Sequence, residues 1–227
     1  FHSNWSILNT GFGGVKKRIM RWFYKRGYEV IECINGMEWD APETKRMPWK
    51  AYGLNPTPEQ YARLQSIQDP GQREVATRGA SYGLCRIEEV IKLEKPDIYL
   101  NLEDSWAFGD LPTKKWFQKL NPFLWTTIDS EPLLDSQIDL AAKTKNLLVW
   151  ASFAERLYKQ KGHSHVQTLP GCLDPEEFHP IGGEKRKELR RRFGLENSFV
   201  SLFLSRNQLR KSFPNLLDGF KIFKDKY

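Results

Sequence analysis

Cysteine is scarce in this chain. Cys33, Cys85 and Cys172 are the only three among 227 residues, far apart and in no CxxC pair. A disulfide framework and a zinc knuckle are therefore excluded, and a reducing, cytoplasmic setting is expected. Long apolar runs are missing too: the longest candidates, such as Leu147–Phe153, fall well short of the ~18 residues a membrane-spanning helix needs. Neither glycine periodicity nor a gross charge imbalance is present, which rules out a collagen-like repeat and a disordered tail. The opening residues Phe1-His2-Ser3-Asn4-Trp5 include no Met and no basic-then-apolar secretory pattern, and read as the interior of something longer.

With 40% apolar, 13% aromatic and 28% charged residues, the chain suffices for one sizeable domain, or one domain and part of another. Its net charge of +7 is confined to one end. Residues 1–183 hold 23 Lys and Arg against 23 Asp and Glu, whereas residues 184–227 hold 12 against 5. Such an end attracts an anion: a nucleotide diphosphate, a nucleic acid or an acidic membrane surface.

A helix followed by a short apolar run is the recurring pattern. An amphipathic helix over Gly14–Arg26, ended by Gly27, leads into a strand over Tyr28–Ile34 closed by Asn35-Gly36. Met37–Gly79 is rich in proline and reads as an irregular insertion with a short helix over Pro58–Gln68. Helices over 82–94, 113–120, 133–145 and 153–161 then alternate with strands over 98–102, 123–128, 147–150 and 165–169. Strands separated by helices imply an α/β fold, a Rossmann-like parallel sheet covered on both faces. This first domain takes residues 1–180. A turn-rich linker precedes a second, incomplete unit over 181–227, the start of another Rossmann-like domain, with helices over 184–193 and 213–224 flanking a strand over Phe199–Leu204. A lone strand cannot close a core of its own, so this end is either cut short or docked on the first domain.

Two segments carry residues suited to anion chemistry. Asn9-Thr10-Gly11-Phe12-Gly13-Gly14 is a glycine loop opening onto a helix, where exposed N–H groups favour a phosphate or carboxylate; a plain tight turn is the competing reading. It is not GxGxxG, and no acidic residue ends the next strand, so a nicotinamide enzyme is disfavoured. In the second segment, Leu204–Asn215, fork-shaped guanidinium groups from Arg206 and Arg210 and a point charge from Lys211 follow an apolar strand; a solvated basic loop competes. Glu103-Asp104 ends a strand on the expected ligand edge, where it would meet a polar ligand or form a solvated turn. Trp39, Trp49, Tyr52 and Trp106 offer flat apolar faces for stacking a ligand, or core packing. His163-Ser164-His165 has no third ligand nearby and reads as a turn, without metal. The basic run Lys185–Arg192 reads as a solvated helix anchored by Leu189 and Phe193, so nucleic acid is a disfavoured partner.

The order of several motifs resembles the retaining, family 4 type of GT-B glycosyltransferases. The glycine loop with Arg26-Gly27-Tyr28-Glu29-Val30, then Thr126-Thr127-Ile128-Asp129 and Trp150-Ala151-Ser152-Phe153-Ala154, are followed by Leu169-Pro170-Gly171-Cys172-Leu173-Asp174 with Phe178-His179-Pro180. Ser205-Arg206 through Lys211, leading into Asn215–Phe220, completes the series. The resemblance implies an acceptor-binding N-terminal domain and a C-terminal domain that holds a nucleoside-diphosphate sugar, with no cofactor or metal required. It further implies that Arg206 and Lys211 contact the donor diphosphate while the loop of Gly13 and Gly14 closes over it. Glu103 and Asp104 fall to the acceptor, which is a saccharide, lipid or protein. Asp129 stands where the family commonly has a His, which makes it the catalytic candidate as a polar contact near the transferred sugar, or else a helix N-terminal or turn carboxylate before Ser130-Glu131-Pro132, and the family's Glu-x7-Glu donor segment would lie beyond Tyr227. A different class of function stays open beside this one, a non-catalytic Rossmann-like module whose basic end binds nucleic acid or another polyanion.

Overall fold

The computed structural model describes residues 1–226. They fall into two compact units, Phe1–Glu177 and a second beginning at Phe178. The first is an α/β unit built on one seven-stranded, wholly parallel sheet in the order β3-β2-β1-β4-β5-β6-β7. Its strands are β1 (His2–Ser3), β2 (Ile31–Ile34), β3 (Lys50–Gly53), β4 (Ile98–Leu102), β5 (Asn121–Thr126), β6 (Asn146–Val149) and β7 (Gln167–Thr168). Helices α1 (Gly11–Tyr24), α2 (Pro58–Gln65), α3 (Pro70–Ser81), α4 (Ile87–Glu94), α5 (Lys115–Lys119), α6 (Asp135–Lys143) and α7 (Ser152–Gln160) connect them. Strand order reverses between β1 and β4, and that reversal opens a crevice at the carboxyl edge of an open sheet.

One interior strand, beside the reversal, is the one that hydropathy conceals. β1 consists of two fully buried polar residues, and each is satisfied by side chains rather than by apolar packing. His2 Nδ1 lies 2.6 Å from the Tyr99 hydroxyl and Nε2 2.7 Å from Asn35 Oδ1, while Ser3 Oγ donates to the Leu102 carbonyl at 2.7 Å. Burial pushes the His2 imidazole down to about 3, so it stays neutral and hydrogen-bonded between β2 and β4.

Helix α1 begins at Gly11, three residues earlier than its hydropathy pattern suggests, because the Thr10 side chain caps it by accepting from the Gly13 N–H at 3.1 Å. Its Lys16 is wholly buried against the sheet. The ammonium sits 3.2 Å from Glu32 Oε1 and donates to the carbonyls of Ser3 (3.2 Å) and Cys33 (2.8 Å). Glu32 also accepts from the Ser6 N–H (2.8 Å), the Ser6 hydroxyl (3.1 Å) and Trp49 Nε1 (2.9 Å). Burial raises the Glu32 carboxyl, but Lys16 and these donors together hold it below the usual carboxylate range.

Residues 37–79 are more regular than their composition suggests. They supply β3, whose residues pair with β2 from Ile31↔Lys50 to Ile34↔Gly53, and two capped helices. Thr57 and Gln60 form a capping box on α2, while Asp69 caps α3 with Pro70 in its first turn. Gly53 is obligatory, since a Cβ there would lie 1.9 Å from the Glu38 carbonyl oxygen. The helix expected from Tyr82 starts only at Ile87. Gly83 turns the chain with φ +72°, and a Cβ there would fall 2.5 Å from Leu54 Cδ1.

The second unit contains α8 (Gly183–Arg192), a 3-10 turn over Leu209–Lys211 and α9 (Phe213–Lys226). The strand expected over Phe199–Leu204 is not formed. The segment pairs with no strand among the described residues, and Leu202 and Leu204 are 83% and 90% exposed. Apolar content alone does not make a strand, because its N–H and C=O groups require a neighbour.

The buried pair gives a direct test. Replacing Lys16 with Met strands the Glu32 carboxylate in the interior and should cost about 3–5 kcal/mol in urea unfolding. Adding Glu32→Gln to Lys16→Met should recover part of that loss. Because Glu32 is held low, its contribution is present above its unfolded value of 4.5 and is lost as pH falls below it.

Candidate functional site

The carboxyl edge at the strand-order reversal gathers the loops after β1, β2, β4 and β5. Glu103 lies at this edge, one residue past β4 and buried. Its Oε1 accepts from Asn35 Nδ2 at 2.7 Å and from the Ser3 hydroxyl at 3.2 Å, which ties together the ends of β1, β2 and β4. Burial raises this carboxyl to about 7, against the opposing pull of the Ser3 hydroxyl, Lys16 and Asn35, and the neighbouring Asp104 adds to the rise. Half-buried Asp104 accepts from the Thr127 hydroxyl, beyond β5, at 2.6 Å. Two adjacent carboxyls thus have distinct environments, one desolvated and titrating near neutrality, the other held by a hydroxyl nearer the solvent. That separation suits proton transfer and polar recognition at one place.

Asp129 follows β5 on the same edge and is exposed. Gly13 and Gly14 stand in the first turn of α1 there as well. Gly13 has a packing reason of its own: a Cβ would lie 2.8 Å from the carbonyl oxygens of both Trp5 and Leu8, so the loop after β1 closes tightly over the helix start. Gly14 is less constrained, its Cβ meeting only the Arg18 guanidinium at 3.3 Å. In the Leu169–Asp174 motif, Trp125 Nε1 donates to the Leu169 carbonyl at 2.8 Å, and Gly171 lets the backbone approach Trp150, 2.6 Å from where a Cβ would stand.

Arg206 and Lys211 belong to the second unit. Arg206 is exposed in the extended segment, and half-buried Lys211 closes the 3-10 turn before α9. Of the four aromatic residues suited to sugar stacking, Trp49 is buried with its indole on Glu32. Trp39 and Tyr52 pack against each other and the core, with Arg86 over the Trp39 ring. Only Trp106 is open, 51% exposed, beside Tyr82 on the wall of a cavity of about 1030 Å³ bounded by α3, α6 and the 3-10 turns after β4. Charges on the rim are matched, Lys114 with Asp110 and Lys143 with Asp139, each at 2.6 Å.

Ser3, Asn35 and Lys16 are site residues that the sequence did not reveal. Asn35 read as a turn residue, Ser3 sat in a segment with no strand signal, and Lys16 resembled one more solvated cation of α1. His163 and His165 stack edge-to-face at 5.9 Å, and His165 Nε2 lies 3.1 Å from the Ala141 carbonyl. No group of three or more His, Cys, Asp or Glu side chains that could hold a metal ion occurs among the described residues, and no helix there is long and apolar enough to cross a membrane.

The raised carboxyl has a stability signature. Favouring the neutral form, Glu103 contributes stability that is fully present below its unfolded value of 4.5 and lost as pH rises through about 7, on the order of 3 kcal/mol in all. Glu103→Gln should therefore match the parent at pH 4 and be the more stable protein at pH 8, as thermal melts at the two pH values would read.

No protein-family model and no curated protein matches this chain, so its function is read from the residues on this sheet edge.

Proposed function

We propose that the protein is a GT-B-type glycosyltransferase that transfers a sugar from a nucleoside-diphosphate donor to an acceptor hydroxyl, with retention of configuration. One observation carries the reading: at the strand-order reversal, where open α/β sheets take their ligands, a buried carboxyl titrating at about 7 lies beside a more open one. In this reading Asp104 orients the acceptor hydroxyl. Glu103, deeper and raised to about 7 by burial, draws its proton away through that neighbour in its ionised form. Asp129, on the same edge, makes a polar contact to the transferred sugar. The diphosphate gains negative charge as the glycosidic bond breaks, and Arg206 and Lys211 meet that charge. Fixed cations stabilise it more in the transition state than in the ground state. The sequence order of motifs supports the same assignment, as does the confinement of the excess positive charge to residues 184–227.

Binding and turnover separate the roles. Titration with a panel of nucleoside-diphosphate sugars should give binding that Arg206→Ala and Lys211→Ala each weaken about tenfold or more, the loss expected of a charge-assisted hydrogen bond. Asp104→Asn should slow transfer while leaving donor affinity unchanged. The parent rate should rise with pH through about 7, and that inflection should vanish in Glu103→Gln. Absence of binding to every sugar nucleotide, together with nucleic-acid binding whose steep salt dependence follows Arg190–Arg192, would replace this reading with that of a polyanion-binding module.

A further inference from the structure

The amino-terminal edge of the sheet, opposite the carboxylates, carries a surface that the transferase reading does not use. α1 ends there, and residues 21–29 are all exposed. Among them stand four aromatic side chains, Trp22, Phe23, Tyr24 and Tyr28, each between 38% and 57% exposed. Three of them form one connected group: Trp22 meets Phe23 edge-to-face at 5.1 Å, and Phe23 meets Tyr28 at 5.2 Å. Tyr24 leans on buried Trp49 at 5.8 Å. Cations are interleaved with them. Lys17, Arg21, Lys25 and Arg26 are exposed, and the Arg26 guanidinium lies 3.7 Å from the centre of the Trp22 ring. No Asp or Glu occurs before Glu29, and Glu29 is itself paired with Lys50 at 2.9 Å.

We propose that this end of α1 docks the protein on an anionic lipid surface, the aromatic rings seated at headgroup level and the four cations on lipid phosphates. Two features favour a lipid surface over a protein partner. The core of a protein–protein contact is depleted of charge, whereas here four exposed cations share residues 17–28 with the four rings and the Arg26 guanidinium lies on Trp22, the pattern of an interface that is apolar and charged at once. Trp and Tyr, moreover, have an apolar body and a polar tip, the composition that collects where hydrocarbon meets headgroups. The complementary charge must be negative, because the one acid of the patch, Glu29, is paired with Lys50 and four exposed cations remain. The inference stands apart from sugar transfer, since none of these residues belongs to the candidate site.

Sedimentation with vesicles provides the test. The protein should pellet with phosphatidylcholine vesicles containing phosphatidylglycerol and not with phosphatidylcholine alone. The double substitution Lys25→Gln with Arg26→Gln should weaken binding by more than tenfold, at about fivefold per cation removed from an anionic surface. Trp22→Ser with Phe23→Ser should weaken it comparably with the melting temperature unchanged, the side chains being exposed. Charge removal at Arg191 and Arg192 in α8 serves as the control and should leave binding as it was. Binding that follows α8 instead, or equal affinity for a soluble polyanion that is insensitive to Trp22→Ser, would overturn the proposal. So would self-association in the ultracentrifuge that Trp22→Ser abolishes without any vesicle binding in the parent.

Discussion

An ammonium buried beneath β1 and β2 is the constraint on which the rest of the first unit depends. Lys16 reaches from α1 to the carbonyls of Ser3 and Cys33 and to the Glu32 carboxylate, with none of these side chains open to water. Taking both charges out of solvent is costly, and the cost is offset only because each remaining lone pair and proton finds a partner. Those partners fix the loop after β1 through Ser6 and the β3 edge through Trp49. α1, β1, β2 and the approach to β3 are thereby held in one register, and a two-residue polar strand becomes an interior strand of a seven-stranded sheet.

The same polar seam continues into the candidate site. His2, Tyr99, Asn101 and Asn35 form a chain of hydrogen bonds across β1, β2 and β4, and Asn35 passes it on to Glu103. Glu103 is accordingly no isolated surface carboxylate: burial raises its proton affinity, and the seam that stabilises the sheet opposes that rise through Ser3 and Asn35. Asp104, one residue on, is anchored to a different strand through Thr127. The two acids therefore differ in environment because they are held by different elements.

The alternation of apolar segments with amphipathic helices made the parallel sheet and most of its strands legible, since burial on both faces leaves apolar runs such as Ile98–Leu102 and Leu147–Val149. Where the sequence misled, the missing information was pairing. Phe199–Leu204 has a strand's composition and no neighbour to bond. His2–Ser3 has neighbours on both sides and no strand composition. Lys50–Gly53 is too short for a period to show, and its edge position is made by Gly53 fitting against Glu38. Trp39, Trp49, Tyr52 and Trp106 could not be sorted by type either; only packing distinguishes the exposed ring on the cavity wall from the three that serve the core.

By itself the sequence determined the class of fold, the segment in which positive charge accumulates and the acidic pair at the end of β4, because these follow from hydropathy period and residue identity along the chain. Tertiary structure alone decided that β1 is an interior strand, that Lys16 is buried rather than solvated, and that Glu103 binds its proton near neutrality. Each of those depends on groups from 13 to 100 residues away along the chain, and the energy of a charge or a hydrogen bond is set by what surrounds it in space, which no local pattern records.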